Sequence, residues 1–562
     1  MRGLSREQSE RIAWALLGLA MCVSAAWLLI EGRGLTFSTD EVYYYARYVA
    51  HGFAAAPGSG IEYFLAPHNG HLVVLGKLIY RGLLLAFGSD YTAFRVVNTI
   101  SVLLCVGLFF VLVRRRVGAL AALIPSVLLL FFGYAYETLL WPFNIHTSLS
   151  LALGLAAVLA LERDDRRGDR LACLFLVLAT AAVELGLAFS VGVAVAVLVR
   201  PDRWRRAWIF LVPVVLYGIW WLWAAHFDQS EAQLTNVHLI PIDFTNALSA
   251  VMGSIFGVNP TGYGVIPQLT TITAWGTALA AAAVVALIVR LRRGPVPVTL
   301  WVFLATLLSY WLTIAIGGRP PDSSRYILVG AVLVFLIAAD ALRGMRLALP
   351  ALAVAALLAL LAIPPNVAKF GDGRQLFVND AHATRTEYGI LELVRDTVDP
   401  AYAPAYDPKV TAVGGGVGAP LPAGEYFRAA EEFGGLGYSP SEVEAESLQW
   451  REVADTTLVD ALAVALEPVG EPADPASCPR STGGTPANLV AFDLPAGGLV
   501  LGASGGRPVS VSLIRFADGG TGVPLGTVEP GSWQRLRVPS DSYDKPWQVA
   551  VDGPLYACPA GG

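Results

Sequence analysis

The chain has 562 residues, 55% of them hydrophobic and only 15% charged, where a soluble domain of this size carries about 25% charge. A mean hydropathy of +0.57 and recurring long apolar runs exclude a soluble globular protein and indicate a polytopic membrane protein. The net charge of −5 comes with no basic domain standing apart from the membrane loops, which excludes nucleic-acid binding.

In chain order, the first apolar segment runs from Ile12 to Ile30 with Arg2, Arg6 and Arg11 before it. It is longer than a signal-peptide core and is expected to be a retained helix. Further apolar segments follow near 97–113, 117–133, 147–161, 171–183, 185–199, 207–225, 271–290, 297–316, 325–341 and 346–363. Arginines mark every second connection: Arg114, Arg115 and Arg116; Arg163, Arg166, Arg167 and Arg170; Arg200, Arg203, Arg205 and Arg206; Arg290, Arg292 and Arg293; Arg343 and Arg346. Those connections are assigned to the cytoplasm, with the N-terminus. The stretch 171–199 keeps this alternation only as two short helices turning near Glu184 and Gly186. The expected fold is an α-helical polytopic membrane protein of about 11 transmembrane helices, residues 1–365. Heavy use of Ala, Gly, Val and Arg with little Lys suggests a GC-rich bacterial source, so the expected location is the bacterial cytoplasmic membrane.

The outer connections are then 31–96, 134–146, 226–270, 317–324 and everything after about 364. The first is the largest and gathers ionisable groups beside the bilayer: Asp40, Glu41, His51, Glu62, His68, His71, Lys77 and Arg81. Acids at a membrane boundary are costly to desolvate, so the Asp40–Glu41 pair is a candidate site. A helix cap at Ser38, Thr39 or Asp40, or a pair between Glu41 and Arg47, would also account for it. Residues 71–87, HLVVLGKLIYRGLLLAF, are apolar except for Lys77 and Arg81, four apart on one helical face. This is expected to be a helix along the outer interface, whose two cations either snorkel or hold a lipid-linked phosphate. His68-Asn69-Gly70-His71 brings two imidazoles to one turn. Trp141 to His146 occupy the second outer connection. In the fourth, Arg319 and Arg325 flank a Pro-Pro turn before Tyr326, and guanidinium groups suit phosphate.

From Asn366 onward Gly, Pro, Asp and Glu dominate, giving an expected extracytoplasmic α+β domain, 366–562. Ser439-Pro440-Ser441-Glu442 reads as a helix start, continuing to about Leu466. From about 488 short apolar runs alternate with turns, as in a β-sandwich. Cys478 and Cys558 bracket it and could form a disulfide outside the cytoplasm. Cys22, Cys105 and Cys173 read as buried small residues. Trp450, Trp533 and Trp547 belong either to the core or to a sugar-stacking surface.

A long first helix, an acidic pair opening a large outer loop, an interfacial helix, short paired helices, a late outer arginine and an outer soluble domain together resemble the GT-C superfamily of integral-membrane glycosyltransferases. The likeness is to the bacterial protein-mannosyltransferase-like and arabinosyltransferase-like members and covers roughly residues 10–365. It implies transfer of a sugar, with inversion, from a polyprenyl-phosphate-sugar donor to a cell-envelope glycan, lipid or protein acceptor on the outer face. It also implies Asp40 as general base with Glu41 beside it, and phosphate binding by Arg325, with Tyr326 next to it, aided by Arg319, Lys77, Arg81, His68 or His71. No cofactor is certain; a divalent metal is left open, because Asp40, Glu41 and His71 are too few to demand one. The competing expectations are an O-antigen-ligase-like or polymerase-like transferase, a transporter or flippase of lipid-linked sugars, and a non-catalytic glycan-binding scaffold.

Overall fold

The computed structural model describes residues 6–46, 60–227, 234–259, 274–345, 348–404, 421–472, 474–485 and 489–560. Arg2, Arg47, His51 and Arg346 lie outside them. Two compact units divide the chain. The first holds 1–33, 53–83 and 90–377; the second holds 34–52, 84–89 and 378–562.

The first unit is a helical bundle. Its long members are α1 (Arg6–Glu31), α5 (Tyr91–Val117), α8 (Ile145–Leu161), α12 (Trp208–Ala224), α14 (Ala274–Arg292), α15 (Val298–Ile316), α16 (Ser324–Ala341) and α17 (Leu349–Leu393). Nine helices among the described residues are long and apolar enough to cross a membrane. Ten are reached if α6 (Ala119–Leu130) and the segment Gly133–Leu140, which ends in α7 (Tyr136–Leu140) and is bent from α6 by 46°, count as one span. Against the expected eleven, α9 (Arg166–Ala182) and α10 (Leu185–Leu198) are shorter than that measure, and α13 (Ile240–Phe256) is added. The turn between α9 and α10 falls at Val183 and Glu184. A Cβ on Gly186 would lie 2.2 Å from the backbone nitrogen of Thr180, so only glycine permits so tight a return. α8 packs along α9, α10 along α15, and α16 against α5, α13 and α15.

α13 corrects the expectation of a loop over 226–270. Its apolar residues bury Ala247, Ala250, Val251 and Ile255 in the bundle. Yet both its ends meet the end of the bundle away from the arginine clusters. Before it, the Asn236 amide donates to the Ile316 carbonyl at 3.2 Å, at the close of α15. After it, the Tyr134 hydroxyl donates to the Asn259 carbonyl at 2.6 Å. The Asn366 amide of α17 reaches the Ser254 carbonyl at 3.1 Å. The arginine-bearing end is tied by ion pairs: Arg116 with Glu162 and Asp340, Arg115 with Glu162, and Arg206 with Asp164 and Asp169. Cys105 and Cys173 are buried, but Cys22 is exposed, because α1 turns much of its surface outward.

The compositional change at 366 falls inside α17, which runs through Pro364 and Pro365 to Leu393 without a break. In the second unit, α18 (Ala423–Phe433) is followed by α19 (Pro440–Ala445) and α20 (Leu448–Ala461). The helix expected to continue to Leu466 thus breaks at Glu446 and Ser447, both extended, and Ser447 starts α20 afresh. Beyond lie nine strands, β1 (Glu467–Val469), β2 (Arg480–Ser481), β3 (Val490–Asp493), β4 (Leu499–Ala503), β5 (Val509–Ile514), β6 (Val523–Val528), β7 (Trp533–Leu536), β8 (Gln548–Val551) and β9 (Leu555–Pro559). They form two antiparallel sheets, ordered β1-β7-β4-β9-β2 and β3-β8-β5-β6. Leu499, Leu501, Val511, Leu513, Val549 and Leu555 are buried between them, as alternation along packed strands requires. Cys478 and Cys558 are joined by a disulfide. The Asp455 carboxylate of α20 accepts the backbone N–H groups of Arg515, Phe516 and Ala517 just past β5.

Candidate functional site

The His68–His71 segment closes on itself. Each histidine donates its backbone N–H to the other's carbonyl, at 3.0 and 2.9 Å. Asn69 and Gly70 take φ of 48° and 78°, the pair of left-handed residues that a two-residue Asn-Gly turn requires. The turn delivers His71 to Glu184. Its Nδ1 lies 2.8 Å from Oε2, while the Leu72 N–H donates to Oε1 at 3.1 Å. Glu184 sits at the start of α10, where a helix N-terminus favours negative charge, and its carbonyl accepts from Leu187 and Ala188. The His71 side chain is 34% exposed and that of Glu184 14%.

Two further imidazoles border the pair. His68 and His146 both meet the Phe143 ring edge-on, at 5.3 and 5.1 Å. His146 stands in the first turn of α8, behind Gly76 of α4 (Val74–Phe87). Glu184 is the one Asp, Glu, Lys or Arg between Arg170 and Arg200, and Glu137 the one between Arg116 and Glu162. That isolation in apolar sequence is the signal that could have placed both in the site.

Glu137 belongs to α7 and holds Arg325 at the start of α16, Nε to Oε2 at 2.8 Å. The Glu137 N–H donates to Ser324 Oγ at 3.2 Å, and the Asn144 amide donates to the Glu137 carbonyl at 3.2 Å. Tyr326 meets Tyr310 edge-on. Arg319, half-buried, follows Gly318 at a φ of 64° and donates its backbone N–H to Ile314.

Lys77 is spent on the backbone. Its buried ammonium donates to the carbonyls of Tyr63 and Ala66 at 2.9 and 2.7 Å, fastening α3 (Gly60–Leu65) to α4. Arg81, one turn on, is half-buried. In the second unit, residues 40–46 form helix α2. Glu41 is fully buried and its Oε2 accepts the Ser38 N–H at 3.4 Å, reaching back over the helix start. Asp40 is half-buried at the same helix start. The environments of the two acids thus differ: one closes a helix terminus inside the protein, the other borders solvent. Among the described residues no group of three or more His, Cys, Asp or Glu is placed to hold a metal ion.

No protein-family model matches the chain, and no curated protein matches it. Two solved structures do. The chain is similar to archaeal oligosaccharyltransferases. One is the oligosaccharyltransferase of Archaeoglobus fulgidus in the apo form, at 12% identity and a TM-score of 0.41, covering 94% of this chain and 76% of that one. The other is the oligosaccharyltransferase AglB of the same organism in complex with an inhibitory peptide and a dolichol-phosphate. There the identity is 14% and the TM-score 0.38, over 79% of this chain and 68% of that one. No residue role is carried across at this level of identity.

Proposed function

We propose that the protein is a membrane glycosyltransferase of GT-C type. It moves a sugar from a polyprenyl-phosphate-linked donor to an extracytoplasmic cell-envelope glycan, lipid or protein acceptor, with Asp40 as general base. The observation that carries this assignment is the split between the adjacent acids: Glu41 is engaged in the helix start, and Asp40 is the one bordering solvent. A sugar hydroxyl is a poor nucleophile, so a positioned carboxylate accepts its proton as the new bond to the anomeric carbon forms. The bond from that carbon to the phosphate oxygen breaks, and its electron pair leaves on the lipid phosphate. Arg325, Arg319, Arg81, His68 and His71 are the cation-capable groups offered for that charge; Lys77 serves them indirectly by fixing α3.

A transporter would carry its buried acids at mid-span. Glu184 instead sits at a helix turn far from the arginines bounding α9 and α10, which favours the transferase. For the acceptor, Trp533 is the aromatic offered. Trp450 and Trp547 are buried. Trp533 stands in one cross-strand row with Gly502, Tyr556 and Arg480. Its ring covers Gly502 and stacks with Tyr556, centroids 6.1 Å apart.

The test is release of free polyprenyl phosphate from a panel of polyprenyl-phosphate sugars with membrane glycan acceptors. The wild type is expected to release it, and Asp40→Asn to lose about 100-fold or more. Equal release by Asp40→Asn removes Asp40 as base. No release by the wild type from any donor in the panel counts against the transferase.

A further inference from the structure

Resting on the transferase function proposed above, we infer that His71 and Glu184 form a carboxylate–imidazole dyad in which Glu184 positions His71 to protonate the departing lipid phosphate. The geometry over-determines the imidazole. Its backbone is locked by the Asn69-Gly70 turn, and its Nδ1 is taken by Glu184 Oε2 at 2.8 Å. The carboxylate is held in turn, because Oε1 accepts the Leu72 N–H at 3.1 Å. A carboxylate on Nδ1 requires a proton there, which leaves Nε2 as the nitrogen for external chemistry. The exposures are graded in the same sense, with the acid inside and the ring nearer solvent.

A purely structural tie between the 68–72 turn and the α9–α10 turn would not need this arrangement. The Leu72 N–H already makes the tie, and a neutral amide would accept it without the cost of a carboxylate largely removed from water. His68 and His146 both pack edge-on against Phe143 near the pair.

The step balances. The acceptor oxygen bonds to the anomeric carbon and its proton goes to the general base. The anomeric carbon–oxygen bond breaks toward phosphate, and the imidazolium gives its Nε2 proton to that oxygen. Exchange with water through the partly exposed ring restores the imidazolium. His71 is then a catalytic residue and Glu184 a positioning residue.

Two measurements on the full chain in lipid nanodiscs decide the matter. The first is nitrogen-15 NMR of histidine-labelled protein at about pH 9, above the ordinary imidazole range. His71, assigned by its loss in His71→Ala, is expected with the proton on Nδ1 and with Nε2 bare, and Glu184→Gln is expected to change that signature. A proton on Nε2 in the wild type overturns the dyad, whatever the protein catalyses. The second is the kinetics of polyprenyl phosphate release. His71→Ala should lower kcat about 100-fold with the donor KM little changed, and added imidazole should restore part of the rate. Glu184→Gln should lower kcat about tenfold or more without raising KM. A His71→Ala loss that lies in KM and is not rescued by imidazole overturns the catalytic role. If the wild type releases nothing from any donor, the transferase assignment and the proton-transfer role fall together, while the NMR still decides the dyad.

Discussion

Arg116 and Asp340 form a buried ion pair, Nε to Oδ1 at 2.9 Å, with side chains 1% and 0% exposed. Arg116 belongs to the arginine run that closes α5, and Asp340 to the last turn of α16. The guanidinium also bonds Glu162 at 2.9 Å and the Leu112 carbonyl at 2.7 Å. Removing one partner strands the other charge. Arg116→Ala should therefore cost about 3–5 kcal/mol, read as a lowered thermal midpoint in detergent. Arg114→Ala, at a partly exposed pair with Glu10, should cost about 1 kcal/mol or less.

Lys77 should behave as a structural residue. Lys77→Met leaves the carbonyls of Tyr63 and Ala66 without their cation. It should expose the 60–66 segment to protease while changing the donor KM less than Arg325→Ala does. A larger rise in KM for Lys77→Met would return the ammonium to the phosphate.

α13 should begin and end on one side of the membrane. Single cysteines at Val258 and Asn236 should both react with an impermeant maleimide added from the side that labels Ser323→Cys. Labelling of the two from opposite sides would make α13 a span.

The Ser439 cap should weaken in acid. The Ser439 N–H and hydroxyl both donate to Glu442, at 2.8 Å each, and hold its carboxyl below the ordinary glutamate value of 4.5. A depressed folded value means the stabilisation is present above the ordinary value and is lost as pH falls through the folded one. Protection of the Ser439 amide from hydrogen exchange should therefore drop below about pH 4.5. Glu442→Gln should show low protection with little pH dependence.

The Cys478–Cys558 disulfide closes a separation of 80 residues. On the chain-entropy account, opening it costs about 4.5 kcal/mol. Cys478→Ser with Cys558→Ser should lower the melting of the sandwich, seen as earlier exposure of Trp547, and leave the helical bundle's transition in place.

The sequence by itself determined the elements whose cause is local. Apolar length marked the candidate spans, because desolvation acts on each segment separately. Asn69-Gly70 wrote the turn between the histidines, Ser439 to Glu442 wrote a helix start, and alternation wrote the strands. Tertiary structure decided the partners. Nothing local tells that Arg116 is buried on Asp340 while Arg114 is partly exposed, or that Glu137 takes Arg325, 188 residues away. It also decided that Glu41 turns inward and that Glu184 meets His71 across 113 residues. α13 escaped the sequence because its apolar face is broken by Asp243, Thr245 and Asn246, and packing rather than length fixes where its ends lie. A side chain's charge is set by its own chemistry, but what that charge does depends on which distant group the fold brings within about 3 Å.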